Sequence, residues 1–213
     1  MQSTYPLMVA TTGRFGGGPG TDHDRSVTSP FDEPLAGRLL VAIPGMADPN
    51  FARTVVLVLQ HAPDAGTLGV VLNRPSDTAV GEILPAWESL AAAPGVVFLG
   101  GPVVPSGAIG VAPAVPDVDG GVRVGDGSLI TVDLERAPDD HPVPVARLRV
   151  FAGHAGWAPG QLESELADDG WFVIDADPED PFTSNPSDLW RSVLRRAPKY
   201  KMFANFPDDP SAN

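Results

Sequence analysis

The chain has 213 residues, 43% of them hydrophobic and 19% charged, which supports one sizeable core and does not read as a disordered chain. A formal net charge of −13, from 14 basic and 27 acidic side chains, argues against nonspecific nucleic-acid binding, which needs clustered basic residues on the phosphates. There is no Cys, which excludes disulfides, thiolate metal ligands, iron–sulfur clusters and a Cys nucleophile.

Residues 1–33 have the composition of a tail. The stretch GRFGGGPGTDHDRSVTSP is rich in Gly, Ser, Thr and Asp without an apolar period, so a flexible arm is expected there. A single domain is expected over residues 34–200, with residues 201–213 as a C-terminal tail. LLVAI (39–43) is a continuous apolar run, suited to a strand buried on both faces. The loop PGMADPNF follows, and TVVLVLQ (54–60) and LGVVLN (68–73) read as a hairpin around HAPDAGT. AVGEILPAWESLAAA (79–93) is helical in character, broken at Pro85. VVFLGGPV is a strand entering a Gly-Gly-Pro turn, and AIGVA, VRVG and SLITVDLE are short strand candidates. ARLRVFAG (146–153) predicts a strand with one buried face, and WFVID (171–175) the last strand. SDLWRSVLRRA (187–197) predicts the best helix, capped by Ser187 and stopped by Pro198. Strands and helices mix without a βαβ rhythm, which points to an α+β fold.

The most unusual stretch is GHAGWAPGQLESEL (153–166). A helix starting near Gly160 places Leu162 and Leu166 one turn apart, facing the core, with Gln161 and Glu163 flanking that stripe. An aromatic residue and a Pro-Gly turn before early acids is ordinary helix-start chemistry. The surplus is His154, Gln161 and a half-buried Glu163 in one span, which leaves a ligand or catalytic site open beside the structural reading. His154, Glu163 and His61 match no zinc spacing, so no metal and no cofactor are expected. FLGGPV reads as a tight turn rather than a phosphate loop, because no GxGxxG or GK[ST] is present and Pro102 lacks a donor. No G-x-S-x-G supports a serine hydrolase. RRAPKYK (195–201) reads as a solvated helix end. No apolar run approaches the ~18 residues of a membrane helix. The chain start lacks a signal-peptide pattern, so a soluble cytoplasmic protein is expected.

In order along the chain, GRLLVAIPGMADPNFARTVVLVLQH, GTLGVVLNRP, FLGGPV and GHAGWAPGQLESEL followed by DGWF resemble the motifs of the bacterial YqgE/AlgH family. The resemblance runs from about residue 35 to about residue 196. It implies a mixed β-sheet with a small closed β-barrel and a bifurcated sheet surrounded by helices. It carries no established enzymatic activity, and some members bear the label of transcriptional regulator. The family pattern maps onto Pro44, Gly45, Asp48, Phe51, Arg53, Asn73, Arg74, Pro75, Gly100, Gly101, Pro102, Gly156, Trp157, Gly160, Gln161, Leu162 and Glu163. Members usually carry Tyr at the position of His154, and many have a His after the Gly-Gly-Pro turn that is missing here. The expected ligand-binding residues are Arg53, Asn73, Arg74, Gly100, Gly101, Trp157, Gln161 and Glu163, with Trp157 buried and Glu163 paired to Arg53 or Arg74. The expected function is a non-catalytic regulatory or ligand-binding role through a protein partner or small ligand, without direct nucleic-acid or membrane contact. The expected state is a monomer or weak homodimer. The alternative is an enzyme of unknown reaction using an Arg/Asn/Glu cleft.

Overall fold

Strands β1 (Arg38–Ala42), β2 (Val55–Ala62) and β3 (Gly66–Val71) form an antiparallel array. Leu39, Val41, Val55, Leu57 and Leu59 point into one core, and Leu40, Ala42, Val56 and Val58 into another. A strand covered on both faces has no polar face to show, so its sequence is a continuous apolar run. The computed structural model describes residues 34–116 and 121–207, and the expected N-terminal tail lies outside them.

Strand β10 (Trp171–Asp175) pairs with the outer edge of β1. Beyond β3 lies β9 (Arg149–Trp157), then β6 (Val103–Pro113), β8 (Leu129–Val132) and β7 (Val122–Val124). The edge of β9 that meets β3 at residues 155–157 meets β5 (Val96–Leu99) in parallel at residues 151–152, so the sheet forks along β9. Gly100 sits at the fork: its N–H donates to Ala152 O at 2.8 Å and its carbonyl accepts from Val71 N at 2.9 Å. Strand β4 (Pro75–Ala79), which pairs with β5, has no apolar run and is invisible to periodicity. Its partner places it rather than its own hydrophobicity.

Three expectations are corrected. The sheet curls, but among the described residues no ladder joins β7 to β10, β1 or β2, so it is an open half-barrel and not a closed one. A concavity of about 740 Å³ lies in that gap, with Arg38 and Leu59 on one side and Arg123 and Leu129 on the other. Strand β9 begins buried on both faces, with Arg149, Val150 and Phe151 all at 2% exposure or less, and it runs past Gly153 to Trp157. The expected polar side of that strand holds Arg149, which finds acceptors inside the core. Helix α3 (Leu189–Arg196) buries Leu189, Trp190, Val193 and Leu194 as its spacing predicts, but Ser187 does not cap it. A 3₁₀ turn, Pro186–Asp188, precedes the helix, and the Ser187 hydroxyl donates to Asn185 Oδ1.

The other helices are short. Helix α1 (Val80–Ile83) gives way at Pro85 to a 3₁₀ turn, Pro85–Leu90, as a proline inside a helical pattern requires. Helix α2 (Gln161–Ala167) starts from Gly160, whose φ of 75° is the left-handed conformation glycine adopts freely. Sheet dominates, with these few helices against it. The segment read as a C-terminal tail carries a further 3₁₀ turn, Lys201–Asn205, with Ala204 2% exposed. Arg191 Nη1 donates to Ala204 O at 2.7 Å and Phe206 O at 3.1 Å, which docks residues 201–207 on the domain.

Candidate functional site

Seven of the eight expected site residues fall into three groups, and Glu163 lies outside them. The first surrounds the loop between β1 and β2. Asp48 starts its turn, accepting Phe51 N and Ala52 N at its carbonyl and Asn50 N at Oδ1. Asn73, just after β3, accepts Val55 N at Oδ1 and donates Nδ2 to Arg53 O. Arg74 Nη2 donates to Pro49 O at 2.8 Å. Arg53, with a φ of 58°, donates Nη2 to Pro207 O and lies 4.1 Å over the Trp190 ring. These side chains grip backbone carbonyls and hold the loop and the C-terminal segment in place. Asn73 serves the same purpose by bracketing the end of the loop where the chain enters β2.

The second group is Gly100 and Gly101. A Cβ on Gly100 would lie 2.3 Å from Gly153 O, and one on Gly101 2.3 Å from His154 C. The pair is glycine because two backbones pass in contact at the fork.

The third group gathers where β9 enters α2. Trp157 is 5% exposed, as expected. Its ring stacks on Phe51 at 5.9 Å and meets Trp171 edge-on at 5.9 Å, while Phe51 meets Trp171 at 5.4 Å. One carboxylate ties the two indoles together. Glu165 Oε2 accepts from Trp157 Nε1 at 2.9 Å and Trp171 Nε1 at 2.8 Å, and Oε1 accepts from Gln161 Nε2 at 2.9 Å. Gln161 Oε1 in turn accepts Ala158 N, closing the turn before the helix. A groove of about 300 Å³ borders this cluster, lined by Met46, Asp48, Phe51, Trp157, Gln161, Glu165, Asp168 and Trp171 among others.

Glu163 stands apart from all of these. Among the described residues its ionic partner is His61, with Nε2 at 3.6 Å, which corrects the expected arginine pairing. Arg53 and Arg74 are turned instead toward the carbonyls of the loop and the C-terminal segment. His61 Nδ1 is 2.8 Å from Thr67 Oγ1, its directly opposed neighbour across the β2–β3 hairpin. His154 is half-buried, and desolvation holds its pKa below the ordinary histidine value. No group of three or more His, Asp or Glu side chains suited to a metal ion occurs among the described residues.

Glu165 escaped the reading of the sequence. Its position four residues after Gln161 places both on one helical face, a legible signal. The two indoles that give it its purpose come from separate strands, and no local pattern announces them. The larger concavity at the open seam is lined by none of the eight expected residues. Its Arg38 Nε is already 2.9 Å from Asp175 Oδ1. The smaller groove at the motif segment is therefore the stronger candidate.

Similar proteins are known. A family model described as AlgH-like matches residues 39–200. A UPF0301 protein of Streptomyces avermitilis is 51% identical over 185 residues, covering 84% of this chain and 95% of that one. A relative in Mycobacterium avium is 45% identical over 183 residues, covering 84% and 90%. A crystal structure of a Corynebacterium diphtheriae protein superposes with a TM-score of 0.74 at 36% identity, covering 82% of this chain and 94% of that one. The solution structure of the AlgH protein from Pseudomonas aeruginosa superposes at 0.58 with 28% identity, covering 84% and 97%.

Proposed function

The chain belongs to the AlgH-like family, and from that premise we propose that it is a non-catalytic regulatory binding protein of the cytoplasm, taking a small ligand or partner side chain in the groove beside Phe51, Trp157 and Trp171. One observation carries the reading. The polar side chains that an enzyme would aim at a substrate are used to hold the protein's own backbone: Asn73 and Arg74 on the β1–β2 loop, Arg53 on the C-terminal segment. Beside them lies an aromatic-walled groove, the usual form of a small-ligand site. Regulation in this reading runs through contacts with ligand or protein and not through DNA, in keeping with the net charge of −13. No described helix is long and apolar enough to cross a membrane.

NMR of the full-length chain mixed with pools of small metabolites tests the proposal. The Trp157 and Trp171 indole N–H signals should shift while the metabolites stay chemically unchanged. Conversion of a metabolite that is lost in Arg74→Ala or Glu163→Gln would sink the reading and favour an enzyme.

A further inference from the structure

The groove has a polarity of its own. Its aromatic walls are three rings in mutual contact, with the Met46 thioether beside them. Both indole N–H groups already donate to Glu165 Oε2, so the tryptophans offer an incoming ligand an aromatic surface without a free donor. One N–H of the Gln161 amide donates to Glu165, and its oxygen accepts Ala158 N. Every charged side chain in the lining is an acid: Asp48, Glu165 and Asp168. Asp48 and Asp168 are exposed, while Glu165 is half-buried against the rings.

An anion entering this space meets three like charges and an aromatic surface whose faces are electron-rich. A neutral acceptor meets mainly other acceptors. A cation finds the reverse: its charge is attracted both by the carboxylates and by the ring quadrupoles, and its alkyl body matches the apolar walls. A carboxylate has about four lone-pair positions. Glu165 uses three of them internally, so its field reaches a ligand without any of those bonds being broken. A space of about 300 Å³ accommodates a head group and a short chain.

We infer that this groove binds an organic ammonium group, a primary or quaternary alkylammonium on a short apolar body. The inference rests on the groove being the ligand site of the protein. Two sources share this chemistry: a free small ammonium compound, and a lysine side chain presented by a partner protein.

The test titrates the full-length protein with choline, with its neutral carbon isostere 3,3-dimethylbutan-1-ol, and with N-acetyl-lysine methylamide, following Phe51, Trp157 and Trp171 resonances by NMR. Choline or the lysine derivative should shift these resonances and bind at least about tenfold more tightly than the neutral isostere, because cation–π attraction in a partly desolvated site is that large. Asp48→Asn and Asp168→Asn each change an exposed rim charge and should weaken the cation roughly threefold with unchanged melting temperature. Tighter binding of choline points to a free ligand, and tighter binding of the lysine derivative to a partner's side chain; either supports the inference. If the isostere binds in the groove as well as the cations do, the charge inference is overturned while the groove stands as a ligand site. If neither cation shifts the groove resonances, the inference is overturned outright.

Discussion

Arg149 is 1% exposed, yet its five N–H donors all find acceptors. Nε reaches Pro181 O, Nη1 reaches Ala92 O and Pro94 O, and Nη2 reaches Ala93 O and Thr183 O, all between 2.7 and 3.0 Å. Its guanidinium lies 4.2 Å over Phe98, and burial lowers its pKa to about 10, still well above neutral pH. Lysine keeps the charge but has three donors at one point, so Arg149→Lys should leave at least two carbonyls unmet. At about 1–3 kcal/mol each, the cost is about 2–6 kcal/mol by urea denaturation; a loss below about 1 kcal/mol would show the carbonyls to be satisfied otherwise. Glu165 and Glu163 form a second contrast. Glu165→Ala strands two indole donors and should cost about 2–4 kcal/mol. Glu163→Gln, two residues away and 3.6 Å from a histidine, should cost less than about 1 kcal/mol; the reverse ranking would refute this assignment of the two acids. His154 supplies the pH dependence. Its folded-state pKa lies below the ordinary value of about 6.5. On acidification the unfolded chain therefore takes up a proton first, so stability falls as pH drops from about 6.5 toward the folded-state pKa and levels off below it. His154→Asn should show a smaller loss between about pH 7 and about pH 5.5, and identical slopes in the two proteins would count against a desolvated, half-buried imidazole.

At the scale of elements, the Gly-Gly-Pro turn and the helix α2 start separate two uses of glycine. Gly101 has a φ of 149°, and a Cβ there would collide with the backbone of β9. Gly160 has a φ of 75° with open space around its Cβ position. Gly160→Ala should thus cost only the left-handed penalty of about 1–2 kcal/mol. Gly101→Ala must also push two strands apart at the fork, and should cost more than about 3 kcal/mol or prevent folding. Equal stabilities of the two variants, read from thermal unfolding, would mean that the fork yields easily. The same contrast explains what was legible. The alternation of leucines in α2 and the stripe in α3 are local periodicities, so both helices and their buried faces follow from the sequence. Strand β4 and the double burial of β9 do not, because each depends on a partner far along the chain.

For the molecule as a whole, the C-terminal segment closes the structure: Arg53 and Arg191 hold its carbonyls, and Phe203 lies 4.9 Å from Phe172. Truncation after Tyr200 should lose about 2–3 kcal/mol, read as a fall of about 4–12 °C in Tm for a chain of this size; an unchanged Tm would make the segment an accessory. By itself the sequence determined the sheet-forming runs, the two packed helices, the break at Pro85 and the membership shown by the ordered motifs, because each is written in residues that are neighbours or a few positions apart. It also marked Trp157 and Gln161 as belonging together near a helix start. Only the tertiary structure decided that Arg53, Asn73 and Arg74 bind the protein's own backbone, that Glu163 meets His61, and that Glu165 joins two indoles from β9 and β10. A hydrogen bond to a distant carbonyl leaves no trace in local periodicity. Whether a polar side chain faces a ligand or its own backbone is set by which strands the fold brings side by side.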